Sequence, residues 1–388
     1  DLHSFPTRRS SDLHIELKDS APGNFTIAVA QLPQFAASVN ASTAWSTPGP
    51  SQLNLRAVGS QRTLVLLDGR RMAASSHGSR FTGAPDISLI PHTLVKRVDI
   101  VTGGASAAYG SDAVSGVANF ILDTSYEGLK GELQGGISDR GDKENYKGSL
   151  TGGAAFAGDR GHIVASVEYT KDDGLLYADR EWAADSWAVI NNPNVTAANP
   201  KGPGNPQRIL RRDVRNATVS YGGLITGGPL AGTQFGPGGV PMPFTFGTDR
   251  SGATMSGGDG PDGSMDGYLD TAQERWNAFT HVSFDFTDRL TGFAEALVGR
   301  SHTYIVPWAG WQVPPQTFTI FSGNPYIPPS IQAEMTARNL ASIPIGRLSR
   351  DFALTEEDAW ERPTRFVAGL KGDTIWRSEE RRVGKECR

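Results

Sequence analysis

The chain has 388 residues, with 37 Lys+Arg against 41 Asp+Glu, a formal charge of −4 and one cysteine, Cys387. The absence of a long basic run argues against a nucleic-acid binder, and one cysteine excludes a disulfide framework or a cysteine metal site. No apolar run of about 18 residues occurs, so no membrane-spanning helix is expected. The 46 glycines and 8 tryptophans suit a strand-and-turn protein, either a soluble all-β chain or a membrane barrel.

The two termini stand apart. His3–Asp12 can be encoded by a DNA stretch whose reverse complement, in a shifted frame, encodes Arg377–Cys387. Two unrelated protein ends do not share complementary codes by chance, and that DNA resembles a common sequencing adapter. Residues 1–13 and 377–388 are therefore expected to be adapter-derived rather than native. The native segment, 14–376, then carries 30 basic and 36 acidic residues and no cysteine, and is expected to begin and end in mid-protein.

In chain order, Phe25–Phe35 (FTIAVAQLPQF) reads as a short helix ended at Pro33, and the polar segment to Ser51 as a loop. Gln52–Val58 reads as a strand containing Asn54-Leu55-Arg56. Thr63–Leu67 (TLVLL) is a continuous apolar run before Asp68-Gly69, as expected of a buried strand and a tight turn. Arg70-Arg71-Met72 resumes the extended chain, 73–85 is a polar loop, and Pro91–Leu94 suits a short helical turn with proline at its start. Leu94–Leu122 (LVKRVDIVTGGASAAYGSDAVSGVANFIL) reads as strand, glycine turn, short helix and strand. Gly103-Gly104 ends the first strand, since glycine takes backbone angles other residues avoid. Ala105–Ala108 suits a helix packed closely on both sides, and Tyr109-Gly110-Ser111-Asp112 closes the turn.

These stretches resemble the plug domain of TonB-dependent outer-membrane receptors. The resemblance rests on LPQF, Asn54-Leu55-Arg56, TLVLLDGRRM and, above all, the nearly continuous match from Leu94 to Leu122. It gives Asn54, Arg56, Asp68, Gly69, Gly103, Gly104, Tyr109, Gly110 and Asp112 as structural motif positions. The family usually has glycine after the N-L-R; here Ala57 stands there.

After Ser125 the pattern turns to strict alternation: Leu129–Ser138, Tyr146–Phe156, Ile163–Thr170 and Trp276–Phe286, with less regular strands at Leu290–Tyr304 and Thr364–Trp376. One apolar and one polar face at period two is the lipid-out, lumen-in pattern of a membrane barrel. The connections at 157–161 and 287–289 are tight turns; those at 139–145, 173–274 and 305–361 fall on the opposite side, and two of these are very long. Such asymmetry fits short periplasmic turns and long extracellular loops. With 16 glycines, 201–264 predicts a mobile loop. Trp182, Trp187, Trp308 and Trp311 on these loops are candidate ligand contacts, able to stack on sugars or flat ligands, with loop packing as the alternative. His77 with Arg80 is a candidate anion contact; a plain surface loop is at least as good a reading.

No hydrolase, metalloprotease or nucleotide-binding motif occurs. Asp259, Asp262, Asp266 and Asp270 do not follow the spacing of a calcium-binding helix–loop–helix, and a solvated acidic loop is the better reading. No cofactor, metal or enzymatic activity is expected. The expected fold is an α+β plug at 14–126, followed at 127–376 by antiparallel strands of an incomplete transmembrane β-barrel. Plug and strands are expected to part as two units between Thr124 and Gly128. The resemblance implies a 22-stranded barrel in the bacterial outer membrane, in contact with its lipid, that takes up a siderophore complex, vitamin or oligosaccharide. It implies TonB as the energising partner, acting on a box upstream of His14. The alternative is a secreted or surface β-protein that binds glycans without transport.

Overall fold

The computed structural model describes residues 34–36, 51–75, 84–102, 106–262, 267–308, 310–351, 355–372 and 383–387. Phe25–Pro33, His77, Arg80 and Gly103–Ala105 lie outside these.

A run of apolar residues has no face to give to water, and Thr63–Leu67 forms β1 with all five residues buried. A two-residue turn at Asp68 and Gly69, with φ of 49° and 75°, leads into β2, Arg70–Arg71. Successive left-handed residues are what a tight hairpin turn requires. Val95–Thr102 forms β3 and Gly116–Leu122 forms β4. The sheet order is β2-β1-β4-β3, with β1 and β4 parallel and the other pairs antiparallel. The expected helical turn is a 3-10 turn at His92–Leu94, preceded by Pro91. The short helix α1 covers Ser106–Tyr109. Ser106, Ala107 and Ala108 are exposed, so the close packing expected on both sides of this helix is absent from this chain. The strand expected at Gln52–Val58 is not formed. Arg56 and Ala57 both sit at φ 58°, which breaks the extended chain and leaves Leu55 a lone bridge to Phe35.

Long antiparallel strands follow: β5 (Gly128–Ile137), β6 (Glu144–Phe156), β7 (Gly161–Asp172), β8 (Ala272–Thr287), β9 (Leu290–Trp308), β10 (Thr355–Glu361) and β11 (Thr364–Gly372). They pair in the order β5-β6-β7-β8-β9-β11, and β10 also pairs with β9. Val383–Cys387, in the segment expected to be adapter-derived, runs antiparallel to β11 as the sheet's last strand. An open edge offers its backbone to any extended segment, so this pairing needs no side-chain fit.

The plug sheet and the long sheet are separate, yet their packing is shared. Plug residues Leu53, Leu67, Ile87, Leu94 and Phe120 form one buried cluster with Val164, Phe279 and Leu297 of the long strands. Asp1–Leu175, Leu269–Ile305 and Asp358–Arg388 make one compact unit, within which Gly128–Ile137 and Glu144–Phe156 pair in the long sheet and not in the plug sheet. Side chains that point inward from the wall strands bury themselves against the plug.

The second unit is Leu176–Tyr268 with Val306–Glu357. Here the expectation of loose loops is overturned. Ser342–Ser349 pairs with Leu224–Ile225, Gly310–Gln312 and Phe318–Phe321, and the helix Pro329–Ala337 packs Ile331 and Met335 against Ile225, Ile343 and Ile345. The glycines serve close backbone approach. A Cβ at Gly222 would lie 1.8 Å from the Phe235 carbonyl oxygen, and one at Gly260 would lie 1.9 Å from that of Asn216.

Candidate functional site

The first site is the contact between plug and wall. Asp68 anchors it. Its backbone N–H donates to the Phe120 carbonyl (2.9 Å), its Oδ1 accepts from the Leu122 N–H (2.9 Å), and the Gly69 N–H donates to Asn119 Oδ1 (2.9 Å). This staples the turn to β4 and aims Arg70 at the wall. Arg70 Nη1 reaches Glu295 Oε2 on β9 at 3.1 Å and its guanidinium lies 4.9 Å from the Phe293 ring centroid. Arg365 of β11 also pairs with Glu295, and His281 Nδ1 of β8 lies 3.5 Å away. Burial pushes the Asp68 carboxyl up to about 6, against the lowering effect of the Leu122 N–H.

A second anchor follows the 3-10 turn. The Thr93 N–H donates to Glu168 Oε1 (2.9 Å), and its hydroxyl meets Thr151 Oγ1 (2.8 Å) and Ser166 Oγ (2.9 Å). His92 Nδ1 lies 3.7 Å from Glu168 Oε2, and burial holds the imidazole well below its usual pKa. Asp86 is buried and accepts from the N–H groups of Ser51 and Ser88 (2.9 Å each) and from Ser88 Oγ (2.8 Å). Burial still raises its pKa, against the lowering effect of these N–H groups. The plug is thus held to the wall by buried polar contacts as well as by the apolar cluster.

Other motif positions act within the plug. Asn54 Oδ1 accepts from the Gly59 N–H (2.8 Å), and Arg71 pairs with Asp112 (2.6 Å) and donates to the Tyr109 carbonyl. Gly110, at φ 86°, donates to the Ser106 carbonyl (2.8 Å) and ends α1. Arg56 donates its N–H to the Gln34 carbonyl (2.9 Å).

The second site is a cavity of about 1250 Å³ within the second unit. Tyr221, Phe235, Phe318 and Tyr326 line it, with Arg347 and Arg350 among the polar groups. The Arg350 guanidinium lies 4.9 Å from the Tyr221 ring centroid, and Arg347 Nε donates to the Tyr221 carbonyl (3.1 Å). Aromatic faces beside guanidinium groups suit a large solute with flat or anionic parts. Trp182 and Trp187 are 60% and 53% exposed and do not line it. Trp308 ends β9 and Trp311 lies in the strand Gly310–Gln312. The sequence reading missed the cavity because its residues come from separate segments without a local pattern.

Among the described residues no group of His, Cys, Asp or Glu is arranged to hold a metal. Asp259 accepts from Gln234 Nε2 (2.7 Å) and the Thr245 N–H (2.8 Å), Asp270 pairs with Lys143, and Asp266 lies outside the described residues.

Three of the solved structures that are similar to the chain are bacterial receptors. They are a mutant ferric enterobactin receptor from Pseudomonas aeruginosa (13% identity, TM-score 0.48), the siderophore receptor PirA from Acinetobacter baumannii (13%, 0.41) and the ferric-catecholate import receptor Fiu from E. coli K12 (13%, 0.35). The matches cover 94%, 95% and 92% of this chain but 38%, 46% and 44% of those receptors. The family model for the TonB-dependent receptor plug domain matches residues 14–117. Residues 14–117 thus match the plug domain of TonB-dependent receptors, and the mixed sheet they contribute to packs on long antiparallel strands.

Proposed function

We propose that this chain is the plug-bearing part of an outer-membrane receptor that binds a scarce large solute at the cell surface. The solute is of the size of a siderophore complex, a vitamin or an oligosaccharide. Uptake is driven by TonB of the inner-membrane complex, acting through a segment upstream of the plug. The chain is a receptor rather than an enzyme.

The observation that carries this reading is the outer face of the wall. Leu129, Leu133, Leu150, Ile163, Val167 and Phe366 are all exposed there. Aromatic groups bracket this belt. Phe156, Phe284 and Phe286 lie at the tight-turn end, with centroids 6.2 and 5.5 Å apart. Tyr146 and Tyr169 lie at the other end, 6.1 Å apart. From Tyr146 to Phe156 a strand rises roughly 34 Å, or roughly 26 Å at a tilt of about 40°, close to the ~25 Å apolar band of an outer-membrane barrel. Water would penalise such a face; hydrocarbon accepts it. The polar inner face, covered by the plug, suits a closed lumen that must open. Hydrogen bonds and ion pairs exchange with water when pulled apart, whereas apolar contacts must expose hydrocarbon.

The test is made with the complete receptor in bacterial cells. Uptake of ferric siderophores, cobalamin and oligosaccharides is compared with and without TonB. One of these should bind in both strains and accumulate only when TonB is present, and the receptor should fractionate with the outer membrane and migrate heat-modifiably. Accumulation independent of TonB would overturn the proposal, and a secreted protein without heat-modifiable migration would favour the glycan-binding alternative.

A further inference from the structure

The outer face of the wall carries one group of charges within its aromatic rim. Two rows of the sheet meet there. One row aligns Tyr146, Lys171, Glu274 and His302; the next aligns Tyr169, Trp276 and Arg300. Trp360 of β10 joins them. Its indole stacks on the His302 ring, with centroids 3.5 Å apart and planes 2° apart, and the Arg300 guanidinium lies 3.9 Å from its centroid.

The nearby carboxylates are engaged. Asp358 pairs with His302 and accepts from Trp360 Nε1 (3.2 Å). Glu274 accepts from the Tyr169 hydroxyl (3.0 Å), and Asp173 pairs with Lys171 (3.0 Å). Among the described residues Arg300 pairs with no carboxylate, and its Nε is buried with no hydrogen-bond partner. Arg362 is exposed, and the bond from the Gly299 N–H to the Pro363 carbonyl (3.1 Å) brings the chain at Arg362 alongside Arg300. Arg300 and Arg362 thus stand side by side in the chain trace at an apolar rim, where two guanidinium groups brought together would repel each other unless an anion lay between them.

We propose that Arg300 and Arg362 bind the phosphate of an anionic lipid in the outer leaflet, with Trp276 and Trp360 flanking the headgroup. Guanidinium groups match phosphate oxygens in a two-pronged geometry, and the aromatic rings sit well at a headgroup boundary. The acyl chains then lie on the apolar row of Leu150, Val167, Ala278 and Val298 next along the strands. A solute phosphate would have no reason to sit beside this hydrocarbon-facing row; a lipid phosphate is placed there by its own chains.

The inference rests on the outer-membrane reading above, so the experiment reads the two separately. The complete receptor and its Arg300→Gln/Arg362→Gln variant are extracted from outer membranes in mild detergent. Native mass spectrometry counts the phosphorylated lipid retained, and heat-modifiable migration reports the barrel. The variant should retain about tenfold less phosphorylated lipid, at roughly a factor of several per cation, with unchanged migration. Equal retention by both proteins would overturn the proposal. So would equal retention by the wild type of a dephosphorylated form of the same lipid, since chain packing alone would then account for binding. If the variant loses its heat-modifiable band, Arg300→Lys/Arg362→Lys serves instead; it keeps the charge and should retain lipid at an intermediate level, and retention equal to that of a neutral lipid would again refute the phosphate contact. Loss of heat-modifiable migration in the wild type would refute the outer-membrane reading itself.

Discussion

The two faces of the wall obey opposite rules. On β7, Val164, Ser166 and Glu168 are 0%, 4% and 3% exposed, whereas Ile163 and Val167 are 41% and 46% exposed. The inner face buries hydroxyls and a carboxylate against the plug, and the outer face presents hydrocarbon. In a water-soluble sheet the apolar face would be the covered one. The inversion indicates that the inner face was selected for polar contact with a plug and the outer for an apolar surround.

The sharpest way to break the inner face is at Glu295, whose side chain is 1% exposed between Arg70 and Arg365. Glu295→Gln keeps the shape and leaves the two guanidinium groups without their counter-charge. Removing one partner of a buried pair costs about 3–5 kcal/mol. Amides of β1 and β2 should lose hydrogen-exchange protection by about that free energy, while barrel migration is unchanged. Replacing the charges together, with Arg70→Met and Glu295→Leu, should recover much of the loss. No recovery would show that Glu295 is held mainly by Arg365.

The outer face is tested by Val167→Arg. At the middle of a bilayer this substitution costs about 2–4 kcal/mol; on a water-exposed sheet it would fall within about 0.5 kcal/mol. Folding the receptor into lipid vesicles distinguishes the two. An unchanged folding free energy would remove the contrast between the faces.

A smaller effect separates the plug's own burial from its ion pairs. The Asp68 carboxyl is raised from 3.8 to about 6, so the folded plug holds this proton more tightly than the unfolded chain does. Its favourable contribution is therefore complete below about pH 4 and is lost as the pH rises through about 6. A shift of about two pKa units corresponds to at most ~3 kcal/mol. Asp68→Asn keeps the acceptor for Leu122 and carries no charge. It should be more stable than the wild type by about 1–3 kcal/mol at pH 8 and equal to it near pH 4, read from exchange at the Leu122 amide. A pH-independent difference would mean that shape, not charge, decides.

Much of this was legible in the residues. The buried run Thr63–Leu67, the Asp68-Gly69 turn and the long alternating strands follow from local patterns of apolar and turn-forming residues. Three features were not. The contact of Arg70 with Glu295 joins residues 225 positions apart, and nothing local in either strand marks the pair. The glycine-rich segment at 201–264 looked mobile because glycine count does not tell a free turn from a backbone crossing. The structure uses Gly222 and Gly260 for such crossings, in a unit whose apolar core comes partly from the second connection. At Gln52–Val58 the apolar residues suggested a strand, but consecutive left-handed residues cannot be read from Arg56-Ala57.

That last segment offers the smallest and most local test. Around Ala57 the chain makes a turn closed by the Gly59 N–H on Asn54 Oδ1 (2.8 Å), the Arg56 N–H on the Gln34 carbonyl (2.9 Å) and the Ala36 N–H on the Asn54 carbonyl (3.0 Å). Ala57 at φ 58° places its Cβ where an L residue is strained by about 1–2 kcal/mol. Glycine relieves that strain but loses more conformational freedom on folding, a cost of about 0.5–1 kcal/mol. The balance predicts that Ala57→Gly stabilises the turn by up to about 1 kcal/mol, whereas Ala57→Val, with a branched Cβ, destabilises it by more than that. Ala57 is exposed, so neither change alters a packed neighbour and the effect isolates the backbone. Exchange at the Gly59 and Arg56 amides measures both variants. If glycine destabilises and valine is tolerated, the left-handed conformation at Ala57 is not strained, and the alanine carries no conformational cost relative to the glycine the family usually has there.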